Sequence, residues 1–295
     1  MIFLWGLLQD DTFRSVHDCL LRRGVEIAFV NHALIGRTRV EFSSLPEPDY
    51  RLSCGGRVYE FNSMSAAYLR PYDHRLYEDE KTLDRKVSQP DVVHHVLMSW
   101  AEHTTAMIIN RPSAEATNQS KLYQAMLICR AGLRVPASLV SNDVAEIEKF
   151  TAEQGRVIYK SMSSVRSVVQ ELDIKSLRSL GAMGPAMFQQ RIEGRNVRVH
   201  AVGEETVACE IESEATDYRY GQSRMRPLSL PPEVAAKCVG VTRELGLVLS
   251  GIDLIETKEG EYYCLEVNPS PAFSVFQRAS SRSIADLVAD RLIAG

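Results

Sequence analysis

Residues 251–271 read Gly251-Ile252-Asp253-Leu254-Ile255, then a turn around Lys258-Glu259-Gly260, then Tyr263-Cys264-Leu265-Glu266-Val267-Asn268-Pro269-Ser270-Pro271. Apolar and polar residues alternate on both sides of the turn, the pattern of a strand pair spanning Leu247 to Ile255 and Tyr262 to Val267. Strand residues two apart share a face, so Asp253 lies with Ile255 and Glu266 with Asn268. Oxygen donors on neighbouring strands suit a hard cation, and magnesium is usually held by one or two carboxylates plus phosphate oxygens. A solvated strand face would carry the same residue types without a ligand. Each carboxylate here is set among apolar neighbours, however, where an unpaired charge is costly, and this favours a cation.

Upstream of that pair, Pro231 to Gly246 has helical spacing, and Val197, Val199 and Ala201 alternate as a strand. A turn at Glu193-Gly194 joins this strand to another over Met187 to Ile192. By itself the unit is a structural hairpin in which Arg198 makes an ion pair. Val157-Ile158-Tyr159-Lys160 is a strand that opens into the polar loop Ser161-Met162-Ser163-Ser164. A lysine at a strand end beside amides and hydroxyls suits a phosphate, although most such lysines are simply exposed; Lys121 has the same standing. Helices are predicted over Asn118 to Ala131, stopped by Gly132, and after Ser141-Asn142-Asp143, stopped by Gly155, with Asp143 and Glu146 spaced as a capping box.

The amino-terminal part opens as a βαβ unit. Residues 2 to 8 form an apolar run, Thr12 to Arg23 a helix stopped by Gly24, and Val25 to Val30 a second strand. GxGxxG does not follow the first strand, so the dinucleotide fingerprint is absent. A turn at Cys54-Gly55-Gly56-Arg57, a strand over Ala66 to Leu69, a helix over Asp91 to Thr104 and a strand over Thr105 to Ile109 complete it, ending where Asn110-Arg111-Pro112 breaks the pattern.

Composition sets the outer bounds. A chain of 295 residues, 45% hydrophobic and 24% charged, has material for two or three packed units. Its formal charge of -4 gives no basic field for sequence-independent nucleic-acid binding. The uncharged stretches fall far short of the roughly 18 to 20 apolar residues of a membrane span, and the amino terminus lacks the layout of a secretory signal, so a cytoplasmic protein is expected. The six cysteines are scattered singly and the seven histidines show no ligand spacing, which argues against zinc and for reduced thiols.

Lys121 in an Asn-x-x-Lys context, Lys160 on a strand, Phe188 to Ile192 ahead of Arg198, and Asp253 ahead of Leu265-Glu266-Val267-Asn268-Pro269 occur together in one order. Their order and spacing over about residues 110 to 275 resemble the ATP-grasp superfamily, in the branch of glutathione synthetase-like enzymes, ribosomal-protein glutamate ligases and graspetide peptide maturases. The resemblance implies a mixed α/β (α+β) ATP-grasp fold. Residues 1–110 would be a Rossmann-like pre-ATP-grasp domain, 111–190 a central lid and 191–295 the catalytic domain. It implies ATP with magnesium, two ions, and a ligase forming carbon–nitrogen bonds through an acyl phosphate. Lys121 and Lys160 would contact the ATP phosphates. Gln189, Gln190, Arg191 and Ile192 would form the hinge, with the backbone of Arg191 and Ile192 on the adenine edge, and Glu193 would meet the ribose. Arg198 and Lys160 would be catalytic, Arg198 meeting the γ-phosphate and the acyl phosphate. Asp253, Glu266 and Asn268 would hold magnesium.

Two positions depart from relatives. Gln190 stands where they often carry glutamate; its amide oxygen still accepts from an adenine amino group. The loop after Lys160 lacks glycines, so Ser163 and Arg166 are expected to clamp the phosphates instead. For the substrate, Arg70 and Tyr72 follow a strand of the first unit, where Arg70 would hold a carboxylate or sit in a rim ion pair. Arg219, in Thr216 to Arg224, is expected on an active-site loop. The partners would be a small-molecule or peptide carboxylate and an amine or other nucleophile, with neither nucleic acid nor membrane, and a second copy of the chain in a homo-oligomer. A peptide maturase or protein-modifying ligase, a silent ATP-binding regulator and a kinase are the competing readings.

Overall fold

The first apolar run forms β1 (Ile2–Gly6), buried along its length. Asp10 then caps α1 (Asp11–Arg22), its Oδ1 accepting from the Thr12 amide at 2.8 Å, and Phe13, Val16, Cys19 and Leu20 recur on the buried face. After Gly24 the chain returns as β2 (Ile27–Asn31), parallel to β1. The computed structural model describes residues 1–44, 48–72, 89–160, 170–171, 186–213, 223–277 and 282–295. A meander of β3 (Arg39–Ser43), β4 (Asp49–Cys54) and β5 (Arg57–Glu60) follows, and its predicted turn uses Gly55 and Gly56 at φ of 59° and 79°. Then β6 (Ala66–Leu69), α2 (Gln89–His103) and β7 (Met107–Ile109) complete a parallel sheet of order β2-β1-β6-β7. Sequence order reverses between β1 and β6, which makes the crevice at their carboxyl ends the place where such sheets collect ligands.

The next segment holds α3 (Pro112–Glu115), α4 (Lys121–Arg130), β8 (Ser138–Ser141), α5 (Val144–Gln154), β9 (Val157–Lys160), β10 (Gln170–Glu171) and β11 (Ala186–Gln190). Strands β10-β9-β11-β8 make a narrow antiparallel sheet. Asp143 caps α5 through the Ala145 amide, but the expected capping box does not close, because the Asp143 N–H donates to Ser141 Oγ at 2.9 Å. The large sheet, ordered β14-β13-β12-β15-β16, contains β12 (Arg195–Val202), β13 (Glu205–Ser213), β14 (Ser223–Leu228), β15 (Leu249–Glu256) and β16 (Tyr262–Asn268). Helices α6 (Pro232–Glu244), α7 (Ser274–Gln277) and α8 (Ile284–Ala294) complete the chain.

Among the described residues the buried side chains fall into distinct cores. One lies beneath the parallel sheet between α1 and α8 and continues onto the large sheet through Val207, Cys209, Ile211 and Leu249. A second, with Phe3, Trp5, Phe61 and Trp100, fills the other face of the parallel sheet under α2. A third buries Val197, Val199, Ile252 and Val267 of the large sheet against Leu127 and Ile128 of α4 and Val234 and Cys238 of α6. Thus α4, expected in the central unit, packs on the large sheet. The narrow sheet has its own small core of Ile147, Val157 and Phe188. All six cysteines are free. Among the described residues no helix is long and apolar enough to cross a membrane.

Two buried amides join these layers. Asn110 Nδ2 donates to Leu249 O (2.8 Å) and Pro269 O (2.6 Å), while its Oδ1 accepts from the amides of Val248 (2.8 Å) and Leu249 (3.1 Å). Gln124 pairs in the same two-way fashion with Val267, donating to its carbonyl at 2.8 Å and accepting from its amide at 3.0 Å. Each side chain thus acts as a length of strand, satisfying backbone groups that burial would otherwise leave unpaired. Replacing Asn110 by alanine is expected to destabilise the protein by about 2–4 kcal/mol, read from the urea midpoint at unchanged slope. A loss below about 1 kcal/mol would mean that water takes over these bonds.

Candidate functional site

Register across three strands builds the centre. On β12 and β15, Arg198 faces Asp253 and His200 faces Gly251; on β15 and β16, Asp253 faces Glu266 and Gly251 faces Asn268. Directly opposed residues of antiparallel strands point to the same side, so the three strands present Arg198, Asp253 and Glu266 as one row with Asn268 in the next. A register shift after Asp253 pairs Leu254 with Cys264 and makes Leu265 the extra residue of β16. Arg198 Nη1 lies 2.8 Å from Asp253 Oδ1, and the arginine side chain is 6% exposed.

Gly251 makes room for this arrangement. A Cβ there would lie 2.1 Å from Arg198 Nη2 and 2.7 Å from Pro271 Cβ. The guanidinium also lies over the Phe276 ring, 5.5 Å from its centroid, and His200 packs on the same ring at 5.2 Å. His200 is buried, and burial together with the Arg198 charge holds its imidazole well below the usual histidine range, so it is neutral.

A cavity beside this row lies between the large and narrow sheets. It is bounded by Lys121 and Gln124 of α4, Met187 and Gln189 of β11, and Leu265 and Glu266 of β16. Lys160 ends β9 opposite Met187, at the same wall. The structure therefore brings together Lys121, Gln189, Glu266, Asp253 and Arg198, all singled out in the sequence. The donor set fits a hard cation: Asp253, Glu266 and Asn268 offer only oxygen ligands, and opposed like charges repel unless a cation lies between them.

Other predicted residues are arranged differently. The Arg191 N–H donates to Arg156 O at 2.8 Å, which withdraws that donor from the expected adenine edge. Gln190 Oε1 accepts from the Ala137 amide at 3.4 Å, the narrow sheet holding the amide expected at the nucleobase. Glu193 pairs with Arg156 Nη1 at 2.6 Å on an exposed rim, where such pairs are readily exchanged for another partner. The hinge turn approaches β15 so closely that a Cβ on Gly194 would sit 2.1 Å from Glu256 O. Ile192 follows β11 between them and is half-buried. Arg70 and Tyr72 turn inward to Asp10, Arg70 Nε at 2.9 Å and Tyr72 OH at 2.8 Å from Oδ2, the ion-pair alternative read for Arg70, here largely buried. Ser163, Arg166 and Arg219 and the side chain of Lys160 lie outside the described residues; Arg224, expected on a loop, belongs to β14.

The family model for the RimK-like ATP-grasp domain matches residues 118–292, more than half of the chain. This chain belongs to the RimK-like ATP-grasp family. A probable alpha-L-glutamate ligase of Vibrio atlanticus is 23% identical over 205 residues, a match covering 61% of this chain and 65% of that protein's length. The structure of the ATP-grasp ligase PsnB complexed with minimal precursor, Mg and ADP superposes with a TM-score of 0.82 at 26% identity, covering 99% of this chain and 96% of the other. Macrocyclase MdnC of Microcystis aeruginosa MRC, bound with precursor peptide MdnA, shares the fold at 18% identity and a TM-score of 0.83, each chain being covered in full.

Several residues that build this ATP-grasp site escaped the sequence reading. Gln124 carried a signal, because it recurs with Leu127 and Ile128 on the apolar face of α4, where a polar residue needs a specific partner. Gly251, His200 and Phe276 offered none, since only the register brings them beside Arg198.

Glu115, at the end of α3, lies near the Arg70 guanidinium in the crevice between the units, and burial raises its carboxyl to about 7 despite that charge. The native pKa lies above the ordinary value of 4.5, so this group favours folding below that value and loses its contribution as pH rises through about 7. Glu115→Gln is therefore expected to exceed the parent in stability by roughly 1–3 kcal/mol at pH 8 and to match it near pH 4, measured by denaturant unfolding at both pH values. Equal stability at both pH values would show that the carboxyl is solvated.

Proposed function

We propose that this chain is an ATP-dependent ligase that activates a carboxylate as an acyl phosphate and passes it to an amine or related nucleophile, with a peptide as substrate. The row Arg198, Asp253, Glu266 at the mouth of a cavity that also contains Lys121 carries this reading. Transfer of a γ-phosphoryl group to a carboxylate joins two anions, so positioning and charge neutralisation are most of what a protein supplies. Asp253, Glu266 and Asn268 would hold magnesium, which neutralises phosphate charge when bound. Lys121 lies at the cavity, and Lys160, Ser163 and Arg166 would contact the phosphates with it. Gln189 and the backbone of Ile192 receive the adenine, and Glu193 exchanges Arg156 for the ribose.

Arg198 is the central catalytic group. Its charge faces the phosphoryl group in transfer and then the oxyanion formed when the nucleophile attacks. Asp253 and Phe276 fix its orientation, so little reorganisation accompanies the reaction. No enzyme nucleophile is required. In this reading residues 1–110 are the pre-ATP-grasp unit, the narrow sheet acts as lid, and residues 191–295 carry the chemistry, with α4 packed beneath them.

The peptide reading is supported by the nearly full-length likeness to PsnB with its precursor. The likeness to glutamate ligases supports a second version, in which free glutamate is the nucleophile and a protein or peptide end the carboxylate. A two-part assay distinguishes these readings. The pure protein with magnesium, ATP and pooled acidic peptides, with or without free glutamate, is expected to release ADP, glutamate being incorporated only in the second version, and hydroxylamine should trap the activated carboxylate as a hydroxamate. AMP as the product would overturn the acyl-phosphate mechanism. Glu266→Gln is expected to lower ATP turnover at least about 100-fold with an unchanged melting temperature; near-normal turnover would remove Glu266 from the metal site.

A further inference from the structure

The crevice at the carboxyl ends of β1 and β6 is occupied by the protein itself. Arg70, the first residue after β6, has an 11% exposed side chain and pairs with Asp10, whose side chain is 8% exposed. Burial pushes the Asp10 carboxyl up, but Arg70, the Tyr72 hydroxyl and the Thr12 amide together bring it below the usual carboxylate range. A buried ion pair is tolerated when its remaining donors and acceptors are met, and here they are met across the domain boundary. Arg70 Nη1 donates to Ser270 Oγ and to Pro271 O, both at 3.1 Å. The Ser270 N–H in turn donates to Asn268 Oδ1 at 3.0 Å. Asn110 holds the intervening carbonyl, Pro269 O, at 2.6 Å.

We propose that Arg70 is a positioning residue for divalent-cation binding: by gripping Ser270 and Pro271 it fixes the loop that orients the Asn268 amide. The proposal rests on Asn268 being a metal ligand, as read above. The planar guanidinium suits the task, because its Nε is anchored on Asp10 while Nη1 reaches the loop, so the loop inherits the rigidity of the α1 cap. A lysine has one ammonium and cannot hold both ends in a fixed relation. Groups that orient metal ligands typically alter metal affinity by 10- to 100-fold when removed.

The test is Mn2+ binding in the presence of ADP, followed by electron paramagnetic resonance of free Mn2+, alongside ADP binding without metal by calorimetry. Arg70→Gln is expected to weaken Mn2+ binding about 10-fold and metal-free ADP binding less than about 2-fold. Ser270→Ala, which leaves the Asp10–Arg70 pair intact and so guards against simple misfolding, is expected to weaken Mn2+ about 3-fold. Asn268→Ala is the reference. If Asn268→Ala weakens Mn2+ binding while Arg70→Gln and Ser270→Ala leave it unchanged, the positioning role is overturned. If Asn268→Ala and Glu266→Gln both bind Mn2+ as the parent does, the underlying metal reading fails instead. Equal losses of Mn2+ and metal-free ADP affinity in Arg70→Gln would also overturn the proposal, marking a general distortion.

Discussion

Two carboxylates placed opposite each other on adjacent strands, Asp253 and Glu266, are the constraint on which the rest of this molecule depends. Side by side they repel, and the sheet does not relieve this by staggering them. It sets Arg198 on the third strand against Asp253. Lys121 of α4 lines the cavity beside Glu266, so charges of both signs line its mouth. Such an array works only if the strands do not slip, since a shift of one residue would turn every side chain to the opposite face. Gln124 at Val267 and Asn110 at Val248, Leu249 and Pro269 fasten the two strands at fixed residues, so the polar core serves alignment as well as stability.

A single face of β12 shows how apolar packing grades into chemistry. Val202 lies in the core shared with α1 and α8, His200 packs under Phe273 and Phe276, and Arg198 meets the carboxylates. Moving two residues at a time along one strand, the environment passes from hydrocarbon to a neutral imidazole to a guanidinium. The aromatic ring of Phe276 is common to the last two and lies between the guanidinium and the core.

The order of the elements was largely legible, because it depends on local periodicity: the βαβ opening, the helix ended by Gly132, and the hairpin around Gly260 all fall where the pattern puts them. The strand placement of Asp253, Glu266 and Asn268 was legible as well, from alternation in apolar surroundings, whereas Lys121 and Arg198 stood out only through the resemblance. Strand β13 was missed although Val207, Cys209 and Ile211 alternate, because its polar positions are charged on both flanks. Arg70 and Glu193 each have a protein partner that the sequence did not identify, for a common reason. Their partners, Asp10 and Arg156, are 60 and 37 residues away in sequence, and an arginine or glutamate reads alike whether it faces a ligand or its own chain.

The unequal sizes of the cores bear on motion. Among the described residues the core of the narrow sheet comprises Ile147, Val157 and Phe188, whereas the large sheet is covered on one face by α4 and α6 and on the other by the core beneath α8. Local opening costs least where least apolar surface is buried. Backbone amides of β9 and β11 should then exchange with solvent deuterium through a sub-global opening that leaves β12, β15 and β16 closed. The cavity wall made by Met187 and Gln189 would part from Glu266 in such an event, admitting a nucleotide and releasing its product without disturbing the charged row.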